Sequence, residues 1–279
     1  MSSSSPYVLH LTVSPMGDNS YSRKLSKVFN EEWAKKYPNV RIVTRDLNEN
    51  IEKHLDGVTL FAGYLPEDQR TPEMQANHQH RLDLVEELVQ ADAVVVSTPM
   101  WNWNTPSVLK AYIDQIVVIG QLDPYTEKKL AGKSITILIA SGGGYGPDSH
   151  HPESDFLTRY LLHVFSALGS TDVQFVRTEY CLAGVAPGLD ALIPKKEASF
   201  DSAVATTKQR VQNIHLKRFA EEKKTVAAPV PAPTPSPAAA PVSAPVAPAP
   251  KTSLTIQVPP QPASQPQQQY YETACCIMM

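Results

Sequence analysis

ADAVVVSTPMWNWNTPSVLKAYIDQIV, residues 91–117, holds a complete strand, loop and helix. Ala93–Ser97 is a short valine-rich run, the pattern of a strand covered on both faces. Thr105 followed by Pro106 reads as a helix start, an N-cap and then proline at the first helical position. The helix beyond it lines up Val108, Leu109, Tyr112, Ile113, Ile116 and Val117 on one side. Between the two elements, Trp101 and Trp103 flank Asn102 at the end of a buried strand, which raises the question of what packs on them.

The alternation continues in both directions. Tyr7–Ser14 reads as a first strand, and Ser20 caps a helix carrying Leu25, Val28, Phe29 and Trp33. Val40–Leu47 is a second strand. The polar, turn-rich stretch 48–72 is either a lid or part of a subunit contact. A helix spans Glu73–Gln90, with Leu82, Val85, Leu88 and Val89 inward. Ser134–Ser141 is a fourth strand, 152–169 a helix, 171–179 a fifth strand, and Lys195 to about Lys224 a more polar last helix. Five strands separated by helices predict right-handed crossovers and an α/β fold, a doubly wound parallel sheet with helices on both faces. Ligands of such sheets bind beyond the strands' carboxyl ends, near the switch in strand order. The loops after strands one, three and four are therefore where a site is expected.

Composition narrows the function classes. A net charge of −3 without a basic stripe gives no sign of nucleic-acid binding. Three cysteines, Cys181, Cys275 and Cys276, are too few for a disulfide framework, and no Cys/His spacing reads as a zinc site. The opening MSSSSPYVLHLTVSP lacks the basic flank and long apolar run of a signal peptide, and no apolar run reaches membrane-span length. A cytosolic domain is expected. From Thr225 to Gln269 the chain is mostly Pro, Ala, Ser, Val and Gln and holds 13 of its 25 prolines. That composition favours disordered, extended backbone. Residues 1–224 thus read as one folded domain, 225–269 as a linker, and 270–279 as a separate terminal segment.

Each of the three loops offers different chemistry. SPMGDNSYSR, Ser14–Arg23, presents the hydroxyls of Ser14, Ser20 and Ser22, with Tyr21 among them, beside the free amides and positive dipole end of a helix. These suit a phosphate, or simply cap a helix in a polar loop. In the loop Pro99-Met100-Trp101-Asn102-Trp103, rings pack beside a planar ligand while amides and Asn102 bond its polar edge; alternatively, the indoles cover a subunit contact. SGGGYGP, Ser141–Pro147, lets backbone approach a ligand through Gly142, Gly143 and Gly144 with positive φ angles, or is a flexible turn. It is neither a dinucleotide G-x-G-x-x-G nor a phosphate-binding Gly-Lys-Ser/Thr loop, and no G-x-S-x-G elbow is present. A phosphate loop combined with a flat-ring loop suits flavin mononucleotide (FMN), which carries a phosphate at one end and a tricyclic ring at the other.

These residues resemble the FMN-dependent NADH-azoreductases and related NAD(P)H:quinone oxidoreductases of the flavodoxin-like fold, over roughly Tyr7–Tyr180. The most specific pieces are SYSRKLSKVF, PMWNWNTPSVLKAYIDQIV, IASGGGYG and HVFSALGSTDVQFVRTE. The second is similar to the family's Pro-Met-Tyr-Asn-Phe-x-x-Pro loop, with tryptophan for both aromatics. The resemblance implies that Ser14, Ser20 and Ser22 hold the FMN phosphate. It places Met100, Trp101, Asn102 and Trp103 on the ribityl chain and ring, and Ser141, Gly142, Gly143 and Gly144 on the ring's other side. It also implies a homodimer and a ping-pong cycle, with NADH or NADPH as donor and a quinone or azo compound as acceptor. Two departures fall near the donor and acceptor side: Ser-Gly-Gly-Gly replaces the family's Ser-Arg-Gly-Gly, and the stretch between Gly120 and Gly132 is short and lacks Gly-Thr-Phe. His150 and His151 follow the glycine run and read as a surface pair.

The last four residues, Cys276-Ile277-Met278-Met279, form a C-a-a-X box, for which methionine favours farnesyl. No basic cluster precedes it, so Cys275 is the candidate for the second, palmitoyl anchor that stable attachment needs. The expected setting is the cytoplasmic face of a membrane in a eukaryotic cell. A tethered flavodoxin-like adaptor, with little or no reductase activity, is the competing class.

Overall fold

The structure, a computed structural model, describes residues 5–149 and 151–216. The segments 225–269 and 270–279, with Cys275 and Cys276, lie outside the described residues, as does His150. Five strands form one parallel sheet: β1 (Tyr7–Thr12), β2 (Arg41–Asp46), β3 (Ala93–Pro99), β4 (Ser134–Ala140) and β5 (Asp172–Thr178). Their order is β2-β1-β3-β4-β5, so the chain reverses its direction of travel between β1 and β3. That is the flavodoxin-like doubly wound order, and it places the switch point beside the loops expected to carry the site.

The α-helices among the described residues are α1 (Tyr21–Lys36), α2 (Gly57–Ala62), α3 (Pro72–Gln90), α4 (Ser107–Ile116), α5 (Phe156–Ala167) and α6 (Ile193–Asn213). Two apolar clusters separate the faces. One joins Leu9, Leu11, Val94, Val96, Ile135 and Ile137 to α3, α4 and α5 through Leu84, Leu88, Leu109, Tyr112, Leu161 and Phe165. The other joins Val8, Val95, Leu138 and Val176 to α1 and α6 through Leu25, Phe29, Trp33 and Val211. Alternate strand residues feed opposite clusters, as the two-residue period of a strand requires. Leu25, Phe29 and Trp33 recur every fourth residue on α1, so they share one face of that helix.

Several elements differ from the sequence expectation. Thr105 does not cap α4: Pro106 has an extended ψ of 150°, the helix begins at Ser107, and the Thr105 hydroxyl is buried without a partner. The Asn104 carboxamide instead receives the Thr105 amide, at 2.8 Å. Val108 and Val117, expected inward, are half-buried at the edge of the core. The last helix ends at Asn213 rather than near Lys224, with Ile214 in extended conformation as its cap. The stretch 48–72 is not loop throughout, since Asp56 caps the short α2 through the Thr59 amide at 2.7 Å.

Two buried polar side chains under the helices, Arg81 and His10, find partners, whereas Trp33 Nε1 and the Tyr112 hydroxyl are buried without one. Arg81 of α3, 3% exposed, donates to the carbonyls of Asp114, Gln115 and Val117 at the end of α4, satisfying groups a helix terminus leaves open. His10 of β1 is fully enclosed, with Nδ1 3.1 Å from Asn30 Oδ1 and Nε2 3.3 Å from Ser97 Oγ. Burial depresses it and the Arg23 charge adds to this, outweighing the Asn30 hydrogen bond and bringing its pKa down to about 4. The unfolded chain therefore binds a proton that the fold does not, between about pH 6.5 and pH 4, and stability falls with acidification across that window. His10→Gln is expected to flatten this slope, worth about 2 kcal/mol between pH 7 and pH 5, in urea melts at both pH values. An unchanged slope would place the proton elsewhere.

Candidate flavin site

The carboxyl ends of β1, β3 and β4 lie side by side. The Val13 amide donates to Ser97 O at 3.0 Å, and the Met100 amide to Ala140 O at 2.8 Å. Pro99, expected in the loop, is the last residue of β3 and pairs with Ala140. The three loops that follow these strands therefore share one rim.

The β1–α1 loop brings its serines inside. Ser14, Ser20 and Ser22 are all buried, at 2%, 6% and 0% exposure. Ser20 caps α1 by accepting from the Arg23 amide at 3.3 Å, and its hydroxyl is 3.1 Å from that of Ser22. The first-turn amides of Tyr21 and Ser22 have no carbonyl one turn back within the helix, so the Ser20 and Ser22 hydroxyls lie at a site of positive potential, while Ser14 Oγ accepts the Met16 amide at 3.3 Å. Tyr21 opens α1. Its ring lies edge-on to Phe200 of α6 at 5.4 Å, with the Lys24 ammonium 4.5 Å from its centroid.

The Trp-Asn-Trp loop is a two-residue turn. Trp101 and Asn104 exchange both backbone hydrogen bonds at 3.0 Å, while Asn102 and Trp103 take φ of 48° and 65°. Two successive positive φ angles make a turn whose natural sequence is Asn-Gly, and here tryptophan occupies the glycine position. Strain of this kind persists where surroundings enforce it. The enforcement comes from α5: the amides of Phe156 and Leu157 at its start donate to Trp103 O at 3.1 and 3.2 Å. Met100 is buried, whereas Trp101 and Trp103 are 43% and 53% exposed. Trp103→Gly is expected to hold or raise the thermal midpoint, by the equivalent of up to about 1 kcal/mol, while weakening FMN binding. A lowered midpoint would show that the indole supports the fold.

The glycine run works differently from expectation. Gly142, Gly143 and Gly144 do not take positive φ; their lack of a side chain admits neighbours instead. A Cβ on Gly142 would lie 2.6 Å from Leu182 Cδ1, and one on Gly144 would collide with the Tyr180 hydroxyl. Tyr180 itself sits at φ 59°. Ser141 Oγ donates to Gly143 O at 2.8 Å, and Glu179 Oε1 accepts from the Tyr145 and Gly146 amides at 2.6 and 2.7 Å. Tyr180, Leu182 and Glu179, all beyond β5, carry no motif of their own and were not expected at the rim. Burial pushes the adjacent Cys181 thiol up to about 11, so it is not a nucleophile at neutral pH. His151 is exposed and 3.4 Å from Glu153, in keeping with a surface residue.

The donor set fits FMN: buried hydroxyls and helix amides for a dianion, and a rim of aromatic and backbone groups for a flat heterocycle. A sheet in the order 2-1-3-4-5 with these loops at its switch point defines the flavodoxin-like class. Comparison with known proteins agrees. The chain belongs to the flavodoxin-like fold family, whose model matches residues 7–210. It is 35% identical over 207 residues to a protein of Frankia casuarinae named FMN-dependent NADH:quinone oxidoreductase, covering 74% of this chain and 98% of that one. It is 37% identical over 177 residues to FMN-dependent NADH:quinone oxidoreductase 2 of Trichormus variabilis, covering 62% and 86%. Among solved structures, an azoreductase from Bacillus anthracis superposes with a TM-score of 0.66 at 20% identity, covering 75% of this chain and all of that one, a likeness of fold.

Proposed function

We propose that the chain is an FMN-dependent NADH:quinone oxidoreductase that also accepts azo compounds. The observation that carries this is the convergence of a buried serine cradle and an aromatic turn on one rim, in a chain whose relatives bear that name. Bound there, FMN supplies reversible two-electron transfer, and the protein supplies position and electrostatics. Ser14, Ser20 and Ser22 hold the phosphate with the α1 amides. The Met100–Trp103 backbone and Asn102 offer hydrogen bonds to the ring's polar edge, and Ser141–Gly144 flank its other side. Trp101 and Trp103 would pack beside the ring. No side chain is assigned as acid or base. Purified protein is expected to take up FMN with a visible flavin spectrum and to oxidise NADH in the presence of menadione. FMN uptake without oxidation of either nicotinamide would favour the adaptor class instead.

The finer parts of the reading are a homodimer and a membrane tether. Exposed Phe61, Tyr64 and Ile119 are apolar surface that supports a second copy packing against the chain. The tether rests on sequence alone: in a protein that ends at Met279, Cys276 would carry the prenyl group and Cys275 the second lipid. Cys276→Ser is expected to shift the protein from the membrane to the soluble fraction in a eukaryotic cell; membrane association that persists would remove the tether.

A further inference from the structure

We infer that Arg23 and Asn48 form a clamp that turns backbone carbonyls away from the phosphate cradle and thereby sets its affinity for FMN. A loop that binds a dianion must present N–H groups and hydroxyls, because a carbonyl facing the phosphate repels it. The two residues leading into the cradle, Val13 and Ser14, each carry such a carbonyl. Both are tied back. Arg23 Nε donates to Ser14 O at 2.7 Å, and Asn48 Nδ2 donates to Val13 O at 2.8 Å.

The two donors share an anchor at the end of β2. Arg23 Nη2 bonds the Asp46 carboxylate, while the Asn48 amide and carboxamide reach Asp46 Oδ1 at 3.0 and 3.2 Å. Burial would push the Asp46 carboxyl up, but the Asn48 and Arg23 hydrogen bonds outweigh it and hold it below its ordinary value. Asp46 is therefore ionised at neutral pH and fixes both donors. One side of the loop is locked to the sheet, and the hydroxyls of Ser14, Ser20 and Ser22 keep the other side. Arg23 also carries the cation of the clamp within the first turn of α1, close behind the cradle. It is a positioning residue, acting through the loop backbone.

The inference rests on the proposed flavin reading, and riboflavin, which lacks the phosphate, separates the two. Dissociation constants for FMN and riboflavin are measured by flavin fluorescence on the wild type, Arg23→Gln, Arg23→Lys and Asn48→Ala, with the thermal midpoint of each. Wild type is expected to prefer FMN strongly. Arg23→Gln is expected to weaken FMN by about 10- to 100-fold, and riboflavin by less than about twofold. Arg23→Lys is expected to recover part of that loss, and Asn48→Ala to show a smaller phosphate-specific loss. Equal weakening of both flavins in Arg23→Gln, or no change in either, overturns the clamp alone. A wild type that binds neither flavin overturns the clamp and the flavin reading together.

Discussion

Replacing Ser20 and Ser22 together by alanine is expected to raise the FMN dissociation constant by about 100-fold or more. Each hydroxyl donating to a charged phosphate contributes roughly 1.5–3 kcal/mol, and the two lie 3.1 Å apart at the same helix start. Ser20 is also the α1 cap, so the double variant is expected to lose about 1 kcal/mol of stability. That cost is visible in the thermal midpoint and acts on free protein and riboflavin complex alike. Equilibrium titration with FMN, beside the midpoint, separates the roles. An unchanged FMN affinity would mean that the serines serve as helix caps and nothing more, the alternative their sequence pattern leaves open.

The largest stability effect is expected at Arg210. This α6 residue is 4% exposed, yet its guanidinium bonds both Asp172 oxygens at 2.9 Å, Thr136 Oγ1 at 3.0 Å and Ile135 O at 3.4 Å. It locks α6 to β4 and β5. Arg210→Met leaves the carboxylate and the threonine hydroxyl without their partner and is expected to cost roughly 3 kcal/mol, reduced from the fully buried case because Asp172 is partly exposed. Burial raises the Asp172 carboxyl, but the Arg210 and Ser134 hydrogen bonds and the Arg210 charge hold it below its usual value. A depressed carboxylate stabilises the fold above its unfolded pKa, and the contribution is lost as pH falls through the folded value. The difference between Arg210→Met and wild type should therefore shrink below about pH 4. A penalty under about 1 kcal/mol, or one independent of pH, would show that the pair only offsets its own desolvation.

Periodicity made the sheet legible. Valine-rich runs such as Ala93–Ser97 and fourfold spacings such as Leu25, Phe29 and Trp33 are set by burial, and burial is what the sheet and its helices share. The phosphate loop was legible because capping serines cluster where a helix begins. What stayed hidden depends on contacts distant in sequence. Arg23 and Asn48 carry no motif in the sequence, and only the fold brings the start of α1 and the end of β2 to the same carboxylate. Tyr180 and Leu182 carry no pattern, yet they explain why Gly142 and Gly144 are glycine: the side chains that press on them arrive from beyond β5. Helix ends were the weakest expectation. Pro106 fits an N1 position locally, but its extended ψ delays α4 by one residue.

The central claim is that one flavin is gripped at the carboxyl rim of β1, β3 and β4 by three separate loops. A crystal structure of the protein grown with FMN tests it most directly. The phosphate is predicted against Ser20 and Ser22 at the start of α1, with the ring between Met100–Trp103 and Ser141–Gly144. FMN held elsewhere on the molecule, or Trp101 and Trp103 folded inward so that no tricyclic ring fits, would contradict the account.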